Sequence, residues 1–263
     1  MDVIDVGGHR IAYRIAGQGP PLVLLHGWPI DSREFRRQLE GLSDHFTVVA
    51  WDAPGAGGSS DPPETFRLPD WADCAAAFIE ALGFGSAHVG GLSWGGGLAI
   101  QLCDRHPKIV RSLILMSAYA GWAGSLPSDV VQDRLRSYLR NSELPTDQWV
   151  PATVDTFVTK RAAAEMIDEL RTMVMEFHPA ATKTAMRAFA AADLRGVLPR
   201  IDVPALLLVG EEDVRAGREV WQALHSGIRG SKLVVIPGVG HVIDVEAGDR
   251  VNEEIRTFLQ PNG

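Results

Sequence analysis

Short apolar runs punctuated by glycine and proline recur along the chain, at 10–15, 22–25, 46–51, 87–90, 111–116, 205–209 and 232–236. Several are continuous rather than alternating, as expected of strands buried on both faces of a parallel sheet. Between them, apolar residues fall at helical spacing, as at Trp71, Ala75, Phe78, Ile79 and Leu82, and again at Val251, Ile255, Phe258 and Leu259. Strand and helix alternate, so the predicted class is α/β, a mostly parallel central sheet with flanking helices. The alternation stops between Tyr119 and Gly196, where amphipathic helical patterns cover 129–140, 162–176 and 180–191. Prolines at 127, 145, 151 and 179 separate them. The pattern therefore predicts a helical insertion at 119–196 within a core made of 1–118 and 197–263.

A length of 263 residues suits one large domain with such an insertion. With 46% hydrophobic and 22% charged residues, the composition is that of a soluble globular protein. A formal charge of −8 argues against a nucleic-acid surface. Arg134, Arg136 and Arg140 read as the wet face of a helix. Cys74 and Cys103 fall on separate predicted helices without metal-ligand spacing and read as buried free thiols. No basic leader or membrane-length apolar run is visible, so the expected location is cytoplasmic, with no membrane partner.

The chemistry concentrates at Gly91-Leu92-Ser93-Trp94-Gly95, where a short strand runs into a helix whose apolar stripe is Leu98, Ala99, Leu102 and Cys103. A serine at the tip of such a turn needs a strained backbone, and side chains two residues away would obstruct the crossing chain. Its hydroxyl needs a base, and that base needs an orienting acid. Past the strand at 205–209 comes Gly210-Glu211-Glu212-Asp213; past the strand at 232–236 comes Pro237-Gly238-Val239-Gly240-His241. Candidate catalytic residues are therefore Ser93, His241 and an acid at 211–213, in the chain order serine, acid, histidine.

With these motifs, Leu24-Leu25-His26-Gly27-Trp28-Pro29 and Asp52-Ala53-Pro54-Gly55-Ala56-Gly57-Gly58-Ser59, the chain resembles the α/β-hydrolase fold superfamily over essentially its full length. The resemblance implies that Asp213 is the acid, that the backbone N–H groups of Trp28 and Trp94 form an oxyanion hole, that His26 is structural, and that 119–196 is a cap. It implies no cofactor and no metal. Asp52 is expected to pin its turn rather than react.

Epoxide hydrolases and haloalkane dehalogenases share the His26-Gly27-Trp28-Pro29 loop but use an aspartate where this chain has Ser93. The loop through Ser32 is similar to that of cofactor-free haloperoxidase-type esterases. The expected activity is hydrolysis of carboxylic esters or lactones of small to medium acyl groups through an acyl-enzyme. Proline iminopeptidase-like or carbon–carbon bond hydrolysis stays open, as does a ligand-binding signalling role on the same fold. The expected partner is a small-molecule ester or lactone; oligomeric state is not legible. Pocket candidates in the cap are Trp122, Trp149, Phe157, Met173, Met175 and Phe177.

Overall fold

The structure, a computed structural model, describes residues 1–260; the last three positions of the 197–263 range lie outside them. Eight strands form one sheet: β1 (Asp2–Val6), β2 (His9–Ala16), β3 (Pro21–Leu25), β4 (Thr47–Trp51), β5 (Ala87–Leu92), β6 (Val110–Met116), β7 (Ala205–Gly210) and β8 (Lys232–Ile236). Their order is β1-β2-β4-β3-β5-β6-β7-β8. The pairings β1/β2 and β2/β4 are antiparallel, and all the others are parallel.

The unbroken apolar runs follow from two-sided burial. Val23 and Leu25 of β3, Leu113 and Leu115 of β6 and Leu207 of β7 enter one core. Their neighbours Leu22, Leu24, Ile114, Leu206 and Leu208 enter another on the opposite face. Helices α2 (Leu68–Ala81) and α3 (Trp94–Arg105) cover the first face; α1 (Arg36–Leu42), α9 (Ile243–Glu246) and α10 (Gly248–Leu259) cover the second.

Between β6 and β7 the described residues form helices only: α4 (Ser128–Asn141), α5 (Val150–Val154), α6 (Ala164–Met175) and α7 (Pro179–Ala191). Pro127, Pro151 and Pro179 stand at or just inside helix starts, where the missing N–H costs nothing. After β7 comes α8 (Arg218–Gly227). β1 escapes the apolar-run pattern because it is a solvent-facing edge strand whose Val3 is 51% exposed. Arg134 departs from the wet-face expectation. It lies two residues from Arg136, about 200° around the helix, and is half-buried where Arg136 and Arg140 are exposed.

Candidate active site

Ser93 sits between β5 and α3 with φ 53° and ψ −109°, a left-handed conformation that is unfavourable for a residue with a side chain. The packing leaves little alternative. A Cβ on Gly91 would stand 2.2 Å from the Gly95 carbonyl oxygen, and one on Gly95 would stand 2.0 Å from that of Leu25. The two glycines therefore let the start of α3 cross β5 and β3 at backbone contact, which lifts Ser93 to the carboxyl end of the sheet.

Beside it lies the loop after β3. The His26 imidazole donates from Nδ1 to Gly27 O at 2.6 Å and accepts the Ala53 N–H at Nε2 at 3.0 Å. Burial lowers its pKa, so the neutral ring is a clamp between two loops, with no nitrogen left for proton transfer. Asp52 pins the same region: Oδ1 accepts Ser32 N–H and Oδ2 accepts Gly58 N–H, each at 2.8 Å. Trp28 and Trp94 pack ring against ring at 5.0 Å, and Trp28 Nε1 donates to Thr182 Oγ1 at 3.0 Å. The backbone N–H groups of Trp28 and Trp94 donate to no carbonyl among the described residues. That of Trp94 opens α3, where the helix dipole favours negative charge.

The loops after β7 and β8 are stitched together. Glu212 N–H donates to Val239 O, and Gly210 passes so close to Gly240 that a Cβ would stand 2.1 Å from its carbonyl. This brings Asp213 and His241 together, with His241 Nδ1 donating to Asp213 Oδ2 at 2.8 Å. Asp213 Oδ1 accepts the N–H groups of Arg215 and Ala216. Burial pushes the Asp213 pKa up, but the His241 charge and these hydrogen bonds outweigh it and hold the carboxyl at about 2. Burial lowers the pKa of His241; Asp213 opposes the shift, and Arg215 and Arg134 add to it. At neutral pH the pair is thus a carboxylate and a neutral imidazole whose Nδ1 carries the proton. Glu211 and Glu212 are engaged elsewhere, accepting from Gly238 N–H and pairing with Arg161. Among the described residues, the Ser93 hydroxyl makes no hydrogen bond to His241; such contacts commonly tighten when substrate binds.

Phe157 lies 6.4 Å, ring to ring, from His241, and its carbonyl accepts the backbone N–H groups of His241 and Val242. Met173 and Phe177 line a crevice of about 10 Å³ with Trp28 and Thr182. Trp149 packs edge-on against Phe177, and Trp122 packs on Tyr138 and Phe189. Met175 is 53% exposed, at the end of α6. A groove of about 630 Å³ along Arg14, Arg33, Arg36 and Glu169 contains none of Ser93, Asp213 and His241.

Sequence reasoning missed two groups here. Glu246 accepts Gly240 N–H at 2.8 Å and the Thr159 N–H and hydroxyl, tying the His241 loop to the helical segment. Arg215, held by Tyr138 and Thr156, stands beside Asp213. Only tertiary folding joins these partners.

The sheet order, the crossing at Ser93 and the loops gathered beyond the parallel strands define an α/β-hydrolase. The chain belongs to the alpha/beta hydrolase fold family, whose profile matches residues 20–247. A thermophilic esterase from Thermogutta terrifontis, solved with malate bound, is 27% identical, with a TM-score of 0.91 over 99% of this chain and 98% of that one. The pimeloyl-[acyl-carrier protein] methyl ester esterase of Stenotrophomonas maltophilia is 28% identical over 93% of this chain and 95% of its own. The (E)-2-((N-methylformamido)methylene)succinate hydrolase of Acinetobacter baylyi is 26% identical over 98% and 97%.

Proposed function

We propose that the protein is a serine hydrolase of carboxylic esters or lactones, with Ser93 as nucleophile, His241 as general base and acid, and Asp213 as orienting acid. The observation that carries this reading is the buried Asp213–His241 hydrogen bond, whose Nδ1 proton leaves Nε2 as the basic nitrogen. Ser93 Oγ attacks the acyl carbon while Nε2 takes its proton. The carbonyl oxygen becomes negative and is received by the free N–H groups of Trp28 and Trp94. Nε2 then gives the proton to the departing alkoxide, leaving an acyl-serine, and water repeats the sequence to release the acid and regenerate Ser93. Residues 119–196 act as a cap over the core of 1–118 and 197–263. Esterase activity in the Thermogutta and Stenotrophomonas relatives supports the ester reading.

The test is hydrolysis of p-nitrophenyl acetate, butyrate and octanoate by wild type and Ser93→Ala, with burst and steady state followed separately. Sustained turnover lost in the variant is expected, together with loss of fluorophosphonate labelling. A burst without turnover would instead favour a ligand-binding role, and labelling at another residue would remove Ser93 from the mechanism.

A further inference from the structure

An open groove of about 610 Å³ lies between α4, α5 and the loop after β7, and its lining includes Arg134, Tyr138, Thr156 and Arg215. Two of its cations are held by neutral groups. Arg33, Arg105 and Arg200 meet carboxylates. Arg134 and Arg215 form no ion pair among the described residues, although both are half-buried. Neutral groups hold them instead. Arg215 donates from Nη1 to Thr156 Oγ1 at 2.9 Å and from Nη2 to Tyr138 OH at 2.9 Å; Arg134 donates from Nη1 to Tyr119 OH at 3.1 Å.

The second nitrogen of Arg134 donates to the backbone carbonyl of Arg215 at 2.9 Å, which ties one cation to the other residue's backbone. Asp213, the nearby acid, is already saturated by His241 and two backbone N–H groups. Arg215 Nε is buried with no acceptor among the described residues. These two cations have the single Asp213 carboxylate nearby, so one positive charge stays unbalanced, and hydroxyls orient the guanidiniums without neutralising them. That arrangement suits recognition of an anion from outside the chain, because the planar donor fork matches a carboxylate.

The position connects this cluster to the reaction centre. Tyr119, whose hydroxyl accepts from Arg134, has its ring 6.3 Å from that of His241. The Arg215 guanidinium lies 5.0 Å over the ring of Phe157, which flanks His241 on another side. We propose that Arg134 and Arg215 form an anion subsite, so that the substrate is an ester or lactone carrying a second, ionised carboxylate a few carbons from the bond that is cleaved. The proposal rests on the reading of Ser93 as nucleophile.

Monoethyl glutarate and its neutral near-isostere ethyl pentanoate test it, with acid release followed in wild type, Arg134→Gln, Arg134→Lys and Arg215→Gln. Glutarate binding to Ser93→Ala is followed in parallel by calorimetry. Wild type is expected to favour the acidic ester in kcat/KM by about tenfold or more, chiefly through KM. The glutamine variants should collapse that ratio, Arg134→Lys should restore part of it, and Arg134→Gln in the Ser93→Ala background should lose glutarate. Equal use of both esters by wild type, with Ser93-dependent turnover, would overturn the subsite and leave the nucleophile standing. No hydrolysis of either ester, with glutarate still bound, would overturn the esterase reading and with it the substrate class. If Arg215→Gln fails to fold, the wild-type ratio and the Arg134 variants decide alone.

Discussion

Ser93 carries a side chain where the backbone favours glycine, a strain of about 1–3 kcal/mol. Ser93→Gly should therefore be more stable than Ser93→Ala by about 1 kcal/mol in urea unfolding, despite the entropy glycine loses on folding. Asp213→Asn should keep the fold and lower kcat by up to about 10⁴, because the amide no longer fixes the Nδ1 proton. Protonated His241 cannot accept from Ser93, so activity should rise with pH through an apparent pKa below the ordinary 6.5, read from the acid limb of kcat/KM. The candidate residues Ser93, Asp213 and His241 could be singled out because each sits in a local motif at a strand end. Arg215 could not be: its partners Tyr138 and Thr156 are 77 and 59 positions away. Nor could the pattern distinguish Arg134 from Arg136, since the face of α4 that meets Tyr119 is decided by packing.

The loop after β4 and the loop after β3 form one element through the Asp52 carboxylate, which accepts two backbone N–H groups in a buried setting. Charge-assisted bonds of this kind contribute about 1.5–3 kcal/mol each. Asp52→Ala should therefore lose about 3 kcal/mol or more, measurable as a lower urea midpoint at unchanged m-value. Seven of the eight strands are visible in the sequence: β3 to β7 because burial on both faces makes them continuous apolar runs, and the half-exposed β2 and β8 because they are still rich in aliphatics; β1, with exposed Val3, mixes acids and aliphatics at an edge. Of the insertion helices, α4, α6 and α7 were legible from their stripes and prolines, whereas the five-residue α5 was too short to show a stripe. The short α9 was not legible either, since its four residues span barely one turn and its Asp244 is buried against pattern.

That Asp244 governs a property of the whole molecule. It lies on α9, which packs against the turn holding Glu34, and neither Asp244 carboxylate oxygen has a partner among the described residues. Burial pushes Asp244 up to about 7, and burial together with the Asp244 charge pushes Glu34 well above its usual range. Both folded-state values exceed the unfolded ones, so their contribution is full below about pH 4 and is lost as pH rises through about 7. Asp213 has the opposite sign: its contribution is present above 3.8 and is lost as pH falls toward about 2. Buried His26 and His241, whose values are lowered, act in the opposite sense below about 6.5, so the Asp244 contribution is read by difference: Asp244→Asn should gain stability relative to wild type as pH rises from about 4 to about 7 in urea titrations. A stability difference between Asp244→Asn and wild type that stays constant across that range would remove Asp244 as its source. No helix among the described residues is long and apolar enough to cross a membrane.

The Phe157 carbonyl, which receives the N–H groups of both His241 and Val242, bears on protein engineering. Exchanging the segment between β6 and β7 for that of another hydrolase is an obvious way to graft a new specificity, with the sheet retained as a common chassis. Here such an exchange would also remove an anchor of the histidine loop, together with the Thr159 end of the Glu246 bridge. A working chimera would keep residues 157–159 with the recipient and place its junctions on either side of them.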